Sequence, residues 1–82
     1  PKKQTKLSFK DQHRLQEVEA AMPRLEAEIS DLEAKLSDPN LFNENPDEFN
    51  QINTRLEAAR GELEQAELDW MEIEEKKEAL AG

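Results

Sequence analysis

The chain has 82 residues, of which 38% are charged and 35% are hydrophobic, and its net charge at pH 7 is −9. So short and polar a chain can bury only a limited core, which argues against a thick globular domain with a catalytic cleft. It contains no cysteine, which excludes disulfides, thiolate metal sites and cysteine nucleophiles.

Residues 1–7 show no apolar periodicity and are predicted to form a basic linker. The chain begins with Pro1 instead of methionine, so we expect it to belong to a longer polypeptide. No apolar run approaches the ~18 residues of a membrane span, and we expect a soluble, cytoplasmic protein without a membrane partner.

Positive charge is concentrated at the N-terminus, where the first 14 residues hold five of the eleven basic side chains and one acidic one. The five basic residues are Lys2, Lys3, Lys6, Lys10 and Arg14. A basic arm on an acidic chain predicts a localised contact with a polyanion. A solvated spacer without a ligand is the alternative.

The first helix is predicted over 9–37, with Ser8 as its N-cap and Asp11 in a weak capping box. Apolar residues then follow in steps of three and four: Leu15, Val18, Met22, Leu25, Ile29, Leu32 and Leu36. Pro23 interrupts this helix, where it removes a hydrogen bond and clashes with the preceding turn. We therefore expect a kink or a break near residues 20–23.

Residues 38–45 are predicted to form a loop, with Leu41 and Phe42 folded back over the tip. Asn45, Pro46 and Glu48 then provide a cap, a first helical residue and a capping box. The second helix is predicted over 46–81. It repeats the three-four spacing at Phe49, Ile52, Leu56, Ala59, Leu63, Ala66, Trp70, Ile73, Lys77 and Leu80.

Two such apolar seams joined by a short connection predict an all-α fold, namely an antiparallel two-helix coiled-coil hairpin over 8–81 with left-handed supercoiling. The expected register pairs opposite charges across the helices: Arg14 with Asp69, Glu28 with Arg55, Lys35 with Glu48, and Glu26 with Arg60.

Trp70 is predicted to close the open end of the hairpin by packing near Phe9 and Leu15. His13 is the single histidine, and a solvated helix residue is its simplest interpretation. The sequence has no phosphate loop, no metal-binding histidine pair and no nucleophile motif, so we expect neither an enzyme nor a small-molecule substrate here. No metal or other cofactor is expected within the chain.

Four segments together resemble the C-terminal domain of Uup-type ABC-F ATPases. They are 6–10 (KLSFK), 12–15 (QHRL), 38–42 (DPNLF) and 67–74 (ELDWMEIE). The resemblance covers about residues 6–75, and its most specific parts are the first segment and the tryptophan among glutamates.

The resemblance implies a parent chain with two ATP-binding cassettes, which would bind ATP and Mg²⁺, and a C-terminal hairpin that contacts DNA. It makes Lys2, Lys3, Lys6, Lys10 and Arg14 the candidate phosphate contacts. Two residues depart from the family pattern: Phe9 replaces a tyrosine, and Asp69 stands where the family often has arginine.

A second hypothesis is a structural or self-association module that positions the parent ATPase domains and has no ligand of its own. This hypothesis gains support if apolar residues outside the seam, such as Leu68 and Met71, form an exposed patch. The choice between DNA and ribosomal RNA as the partner stays open at this point.

Overall fold

The chain is all-α over the residues that the structure describes. The computed structural model describes residues 7–81, with side chains as far as residue 80. Three helices lie in this range: α1 (Phe9–Leu36), α2 (Leu41–Glu44) and α3 (Pro46–Ala81). Together they form a rod of about 65 × 17 × 14 Å. The predicted linker 1–7 lies outside the described residues except for Leu7.

Helix α1 begins at the predicted cap. The hydroxyl oxygen of Ser8 accepts a hydrogen bond from the backbone N–H of Asp11 at 3.1 Å. Gln12 donates from its side-chain amide to the carbonyl of Leu7 at 2.8 Å. The first bond satisfies a backbone N–H that the helix terminus leaves without an intrahelical partner, and the second ties the residue before the cap to the first turn.

The predicted break at residues 20–23 is wrong, because α1 continues through Pro23. Seam residues on both sides of the proline, Val18 and Leu25, are 3% and 4% exposed. Their packing offsets the missing hydrogen bond. Pro23 and Glu19 both lie on the exposed side, where water can solvate the Glu19 carbonyl that has lost its donor. A kink of α1 near Pro23 stays a prediction.

The connection between the long helices contains an additional helical turn, α2, where the sequence predicted only a loop. The side chain of Asp38 accepts a hydrogen bond from the backbone N–H of Asn40 at 3.0 Å. The backbone carbonyl of Asp38 accepts one from the N–H of Leu41 at 3.2 Å. Such local bonds are typical of Asp in turns. They direct the chain into α2.

Helix α3 begins at the predicted cap, Asn45, but the capping box is incomplete, because the backbone N–H of Asn45 donates to the carbonyl of Leu41 and not to Glu48. The side-chain oxygen of Asn45 accepts from the N–H of Glu48 at 3.2 Å, while the Asn45 amide donates to the Glu48 carboxylate at 3.1 Å. Glu48 is thereby held at the helix start, and within the described residues it forms no ion pair with Lys35. The predicted pairing of Lys35 with Glu48 is wrong for this reason.

The tip of the rod is closed by apolar side chains. Leu41 is half-buried against the cluster of Leu32, Ile52 and Leu56, as expected. Phe42 meets the ring of Phe49 edge-on, with 5.2 Å between centroids and 84° between planes, but stays 55% exposed. Leu41 therefore covers the tip more completely than Phe42 does.

Helices α1 and α3 pack along the predicted seam. All seven seam residues of α1 are buried or half-buried, and so are those of α3 except Lys77. The most buried are Val18, Leu25, Leu32, Ile52, Leu56, Ala59, Ala66 and Ile73. The three-four spacing thus identified the core correctly.

Three ion pairs between the two long helices follow one order. Asp11, Arg14 and Glu28 of α1 contact, in turn, residues 76, 69 and 55 of α3. Along these three pairs the number of the contacted residue falls as the number in α1 rises, whereas Glu33 contacts Arg60, which lies further along α3 than Arg55.

Truncation of a core leucine should be far more costly than truncation of an exposed one. Leu56→Ala is expected to lower the free energy of unfolding by about 2–3 kcal/mol, since Leu56 is 3% exposed within the core cluster. Leu68→Ala is the matched control, because Leu68 is 51% exposed, and should change it by less than about 0.5 kcal/mol. Urea unfolding followed by far-UV circular dichroism measures both; equal losses would contradict the assigned core.

Gly61→Ala should stabilise the chain. Gly61 lies inside α3, is exposed, and a Cβ added there meets no atom within 4 Å. Alanine in a helix interior is favoured over glycine by about 1 kcal/mol. The same unfolding assay should show a gain of this size, and a loss would mean that α3 is not helical at residue 61.

Candidate nucleic-acid interface

The end of the rod opposite α2 contains an open cleft between the start of α1 and the last turns of α3. Its volume is about 450 Å³. We call it the open-end cleft. It is lined by Lys10, Asp11, His13, Arg14, Glu17, Asp69, Glu72, Ile73 and Lys76.

Two of the five predicted phosphate contacts lie in this cleft. Lys10 and Arg14 are four residues apart on α1, so the helix places them on one face, and both line the cleft. The other three candidates, Lys2, Lys3 and Lys6, lie outside the described residues. The prediction for all five stays a prediction.

Arg14 is bound across the helices to Asp69, as the register predicted. The carboxylate of Asp69 also accepts a hydrogen bond from the side-chain amide of Gln65, one turn earlier on α3, at 3.0 Å. Arg14, and secondarily Gln65, hold the pKa of Asp69 below its ordinary value. Asp69 is 18% exposed, whereas the Arg14 side chain is 48% exposed.

Lys76 is a cation of the cleft that sequence reasoning missed. Its ammonium lies 3.3 Å from the carboxylate of Asp11 on the facing helix. It stands in the acidic half of the sequence, far from the basic arm. The expected register could have identified it, because the same register that joins Arg14 to Asp69 brings the last turns of α3 beside Asp11.

The described part of the cleft carries more negative than positive charge at neutral pH. The cations Lys10, Arg14 and Lys76 face the four carboxylates of Asp11, Glu17, Asp69 and Glu72. His13 lies 3.8 Å from Glu17 on the same helix. A phosphate that enters the cleft must therefore compete with carboxylates for the cations.

Phe9 does not pack against Trp70 as predicted. Phe9 is 89% exposed, while Trp70 is half-buried. The reason is the phase of the seam: stepping back from Leu15 by four and then three residues reaches Asp11 and Ser8, which are both half-buried. Phe9 stands one residue out of this phase and points away from the seam.

A second group of charges lies in the middle of the rod. Arg55 donates two hydrogen bonds to Glu28, at 2.7 and 2.6 Å, and one to Glu62 at 3.0 Å. The bonds from Arg55 lower the pKa of Glu28, and Glu28 and Glu62 raise the pKa of Arg55. This bidentate contact confirms the predicted pairing of Glu28 with Arg55 and links the helices.

Arg60 pairs with Glu33 at 2.6 Å and not with Glu26, so that predicted pairing is wrong. A long arginine side chain can reach several ångströms along the rod, and the seam alone does not decide which carboxylate it meets.

The described residues show no group of three or more acidic or histidine side chains arranged to hold a metal ion. Over the same range, no helix is apolar for long enough to span a membrane.

The helical rod and its segment pattern correspond to a known class of domain. The family model described as ABC transporter C-terminal domain matches residues 6–75, and the chain belongs to this family. The chain is also 52% identical, over all 82 residues, to the ATP-binding protein Uup of Caulobacter vibrioides. These two findings confirm the resemblance to the C-terminal domain of Uup-type ABC-F proteins.

The chain spans 14% of the length of this relative. No solved structure matches the chain.

The Glu28 and Arg55 pair should make stability depend on pH in a defined direction. Because the pKa of Glu28 is lowered on folding, the pair stabilises fully at pH values well above about 4.3, the ordinary glutamate value. That contribution is lost as the pH falls through the lower pKa that Glu28 has in the folded chain. The destabilisation caused by Arg55→Gln should therefore shrink in acid, and the pKa of Glu28 should rise in this variant.

Carboxyl NMR titration and urea unfolding at neutral and acidic pH measure the two effects. Lys35→Gln is the control, since it removes one positive charge without contacting Glu28. An unchanged Glu28 titration in Arg55→Gln would contradict the assigned pair.

Proposed function

We propose that this chain is a DNA-binding coiled-coil domain at the C-terminus of an ABC-F ATPase. Its N-terminal basic residues, together with the first two turns of α1, would contact DNA phosphates. The observation that carries the proposal is the placement of Lys10 and Arg14 on one face, in an open cleft at the end of the rod from which residues 1–6 extend in sequence.

The framework for this contact is an antiparallel hairpin. Three of the ion pairs between α1 and α3, which join residues 11, 14 and 28 to 76, 69 and 55, support this arrangement, while the pair of residues 33 and 60 does not follow their order. The continuous three-four spacing of the buried residues supports left-handed supercoiling. Such a rod is long and narrow, so its end can reach a ligand while its sides stay at a distance.

The charge distribution favours contact by the end of the rod alone. Beyond residue 14 the sequence has six basic and nineteen acidic residues, so the sides of the rod repel a polyanion. Contacts of lysine and arginine with phosphates position a protein on DNA without reading its sequence. We therefore propose binding without sequence preference, through Lys2, Lys3, Lys6, Lys10 and Arg14.

The parent protein would supply the chemistry. The relative from Caulobacter is named an ATP-binding protein, and the chain corresponds to 14% of it. We propose that ATP and Mg²⁺ bind to cassettes outside the chain, in a cytoplasmic protein. The hairpin itself would be no enzyme and would bind no cofactor. It would position the basic arm relative to the ATPase domains.

A second candidate is a structural module that associates with the parent ATPase domains and binds no nucleic acid. Leu68 and Met71 favour it, since they lie three residues apart on α3, outside the seam, and are 51% and 52% exposed. Apolar side chains exposed together on one helix are a common feature of contact surfaces.

Charge reversal at the arm should separate the two candidates. Replacement of Lys6, Lys10 and Arg14 by glutamate is expected to abolish binding to labelled duplex DNA in a fluorescence-anisotropy titration, with helicity retained. Each phosphate contact contributes about 0.9 to the slope of log affinity against log salt, so wild-type binding should also weaken steeply with salt.

The matched control reverses Arg24, Lys35 and Arg60, which changes the net charge equally but lies along the rod. It should retain binding more fully than the arm variant. A structured RNA in a parallel titration tests the alternative ligand, and tighter binding to it would replace DNA by RNA. Absence of binding to either at low salt would leave the structural module.

A further inference from the structure

The Arg14 guanidinium already has an anionic partner in the open-end cleft. Asp69 binds it from the facing helix, and Gln65 holds the other carboxylate oxygen of Asp69 at 3.0 Å. A carboxylate presents to arginine the same kind of oxygen acceptors as a phosphate does. The position that a DNA phosphate would take on Arg14 is thus occupied by a group of this chain.

We propose that Asp69 is an affinity-limiting residue, which occupies the guanidinium of Arg14 so that a phosphate must displace it before Arg14 can bind DNA. This inference rests on the proposed function of the cleft. It gives Asp69 a role in the strength of binding, in addition to its contact between the helices.

The surroundings of the pair support an exchange of partners at Arg14. The Arg14 side chain is 48% exposed, so a ligand can approach it from solvent, whereas Asp69 is 18% exposed and is held in place by Gln65. Arg14 can therefore turn toward a phosphate, while Asp69 stays in the cleft as a negative charge beside it. Binding then loses one ion pair and gains a like-charge repulsion.

Asp69 differs in this respect from the other carboxylates of the cleft. Asp11 lies in the first turn of α1, where the positive end of the helix dipole stabilises it, and its partner is Lys76. Glu72 lines the same cleft but is not the partner of Arg14. Glu72 therefore provides a control that removes the same unit of charge from the same place.

The test compares Asp69→Asn with Glu72→Gln, each in the wild-type chain and in an Arg14→Gln background, by anisotropy titration with labelled duplex DNA at low salt. Asp69→Asn is expected to raise the affinity roughly 3- to 10-fold, because an exposed ion pair and one added repulsion together amount to about a kcal/mol. Glu72→Gln should raise it less than about 2-fold, through general charge alone.

In the Arg14→Gln background, the effect of Asp69→Asn should fall to that of Glu72→Gln, since no guanidinium is left to release. Equal effects of the two substitutions in the wild-type chain would overturn the inference while leaving the proposed function intact. So would an Asp69→Asn gain that persists without Arg14. Wild-type binding that survives charge reversal of Lys6, Lys10 and Arg14 would instead overturn the proposed function, and this inference with it.

Circular dichroism and thermal unfolding of each variant establish that the hairpin is folded at the assay temperature. Asp69→Ala provides a second variant, which removes the carboxylate without offering a new amide. It should change the affinity in the same direction as Asp69→Asn, and a loss of affinity in the folded variant would overturn the inference.

Discussion

The apolar seam between α1 and α3 is the constraint on which the rest of the structure depends. It is one layer thick, and its buried residues are all apolar, from Val18 near the open end to Leu32 and Leu56 near the tip. The described part of the chain has no buried polar or charged residue. Every charged side chain of residues 7–80 is therefore at least partly exposed, and what the rod can bind is decided by which of these side chains the seam brings together.

The phase of the seam explains how much of the fold could be predicted from the sequence. The spacing identified both long helices, the buried positions, and the pairs of Arg14 with Asp69 and Glu28 with Arg55, since residues that flank a seam meet across it. It did not identify the partner of Arg60, because arginine extends far enough to choose between carboxylates on successive turns. Nor did it predict α2, which depends on the local hydrogen bonds of Asp38.

Two expectations failed because a local preference was given more weight than the seam. The intrinsic cost of proline predicted a kink or a break near Pro23, and the break is wrong, because buried residues on both sides of the proline keep α1 continuous. Hydrophobicity predicted that Phe9 packs against Trp70, but Phe9 stands one residue out of phase and remains 89% exposed. In both cases the periodicity of several residues determined the structure more strongly than the character of one.

The same contact that helps to align the helices also restrains the candidate site. Asp69 connects α3 to Arg14 of α1, which favours one register, and it does so by using a cation that phosphate binding would need. The other cation held across the cleft, Lys76, is engaged by Asp11 in the same way. A two-helix rod has no interior that could hold the ion pairs between the helices apart from the cations that face a ligand, because the charged side chains of its described part are all exposed or half-buried. If the open-end cleft binds a polyanion as proposed, residues that strengthen the contact between α1 and α3 there should weaken that binding, so that stability and affinity oppose each other at this end.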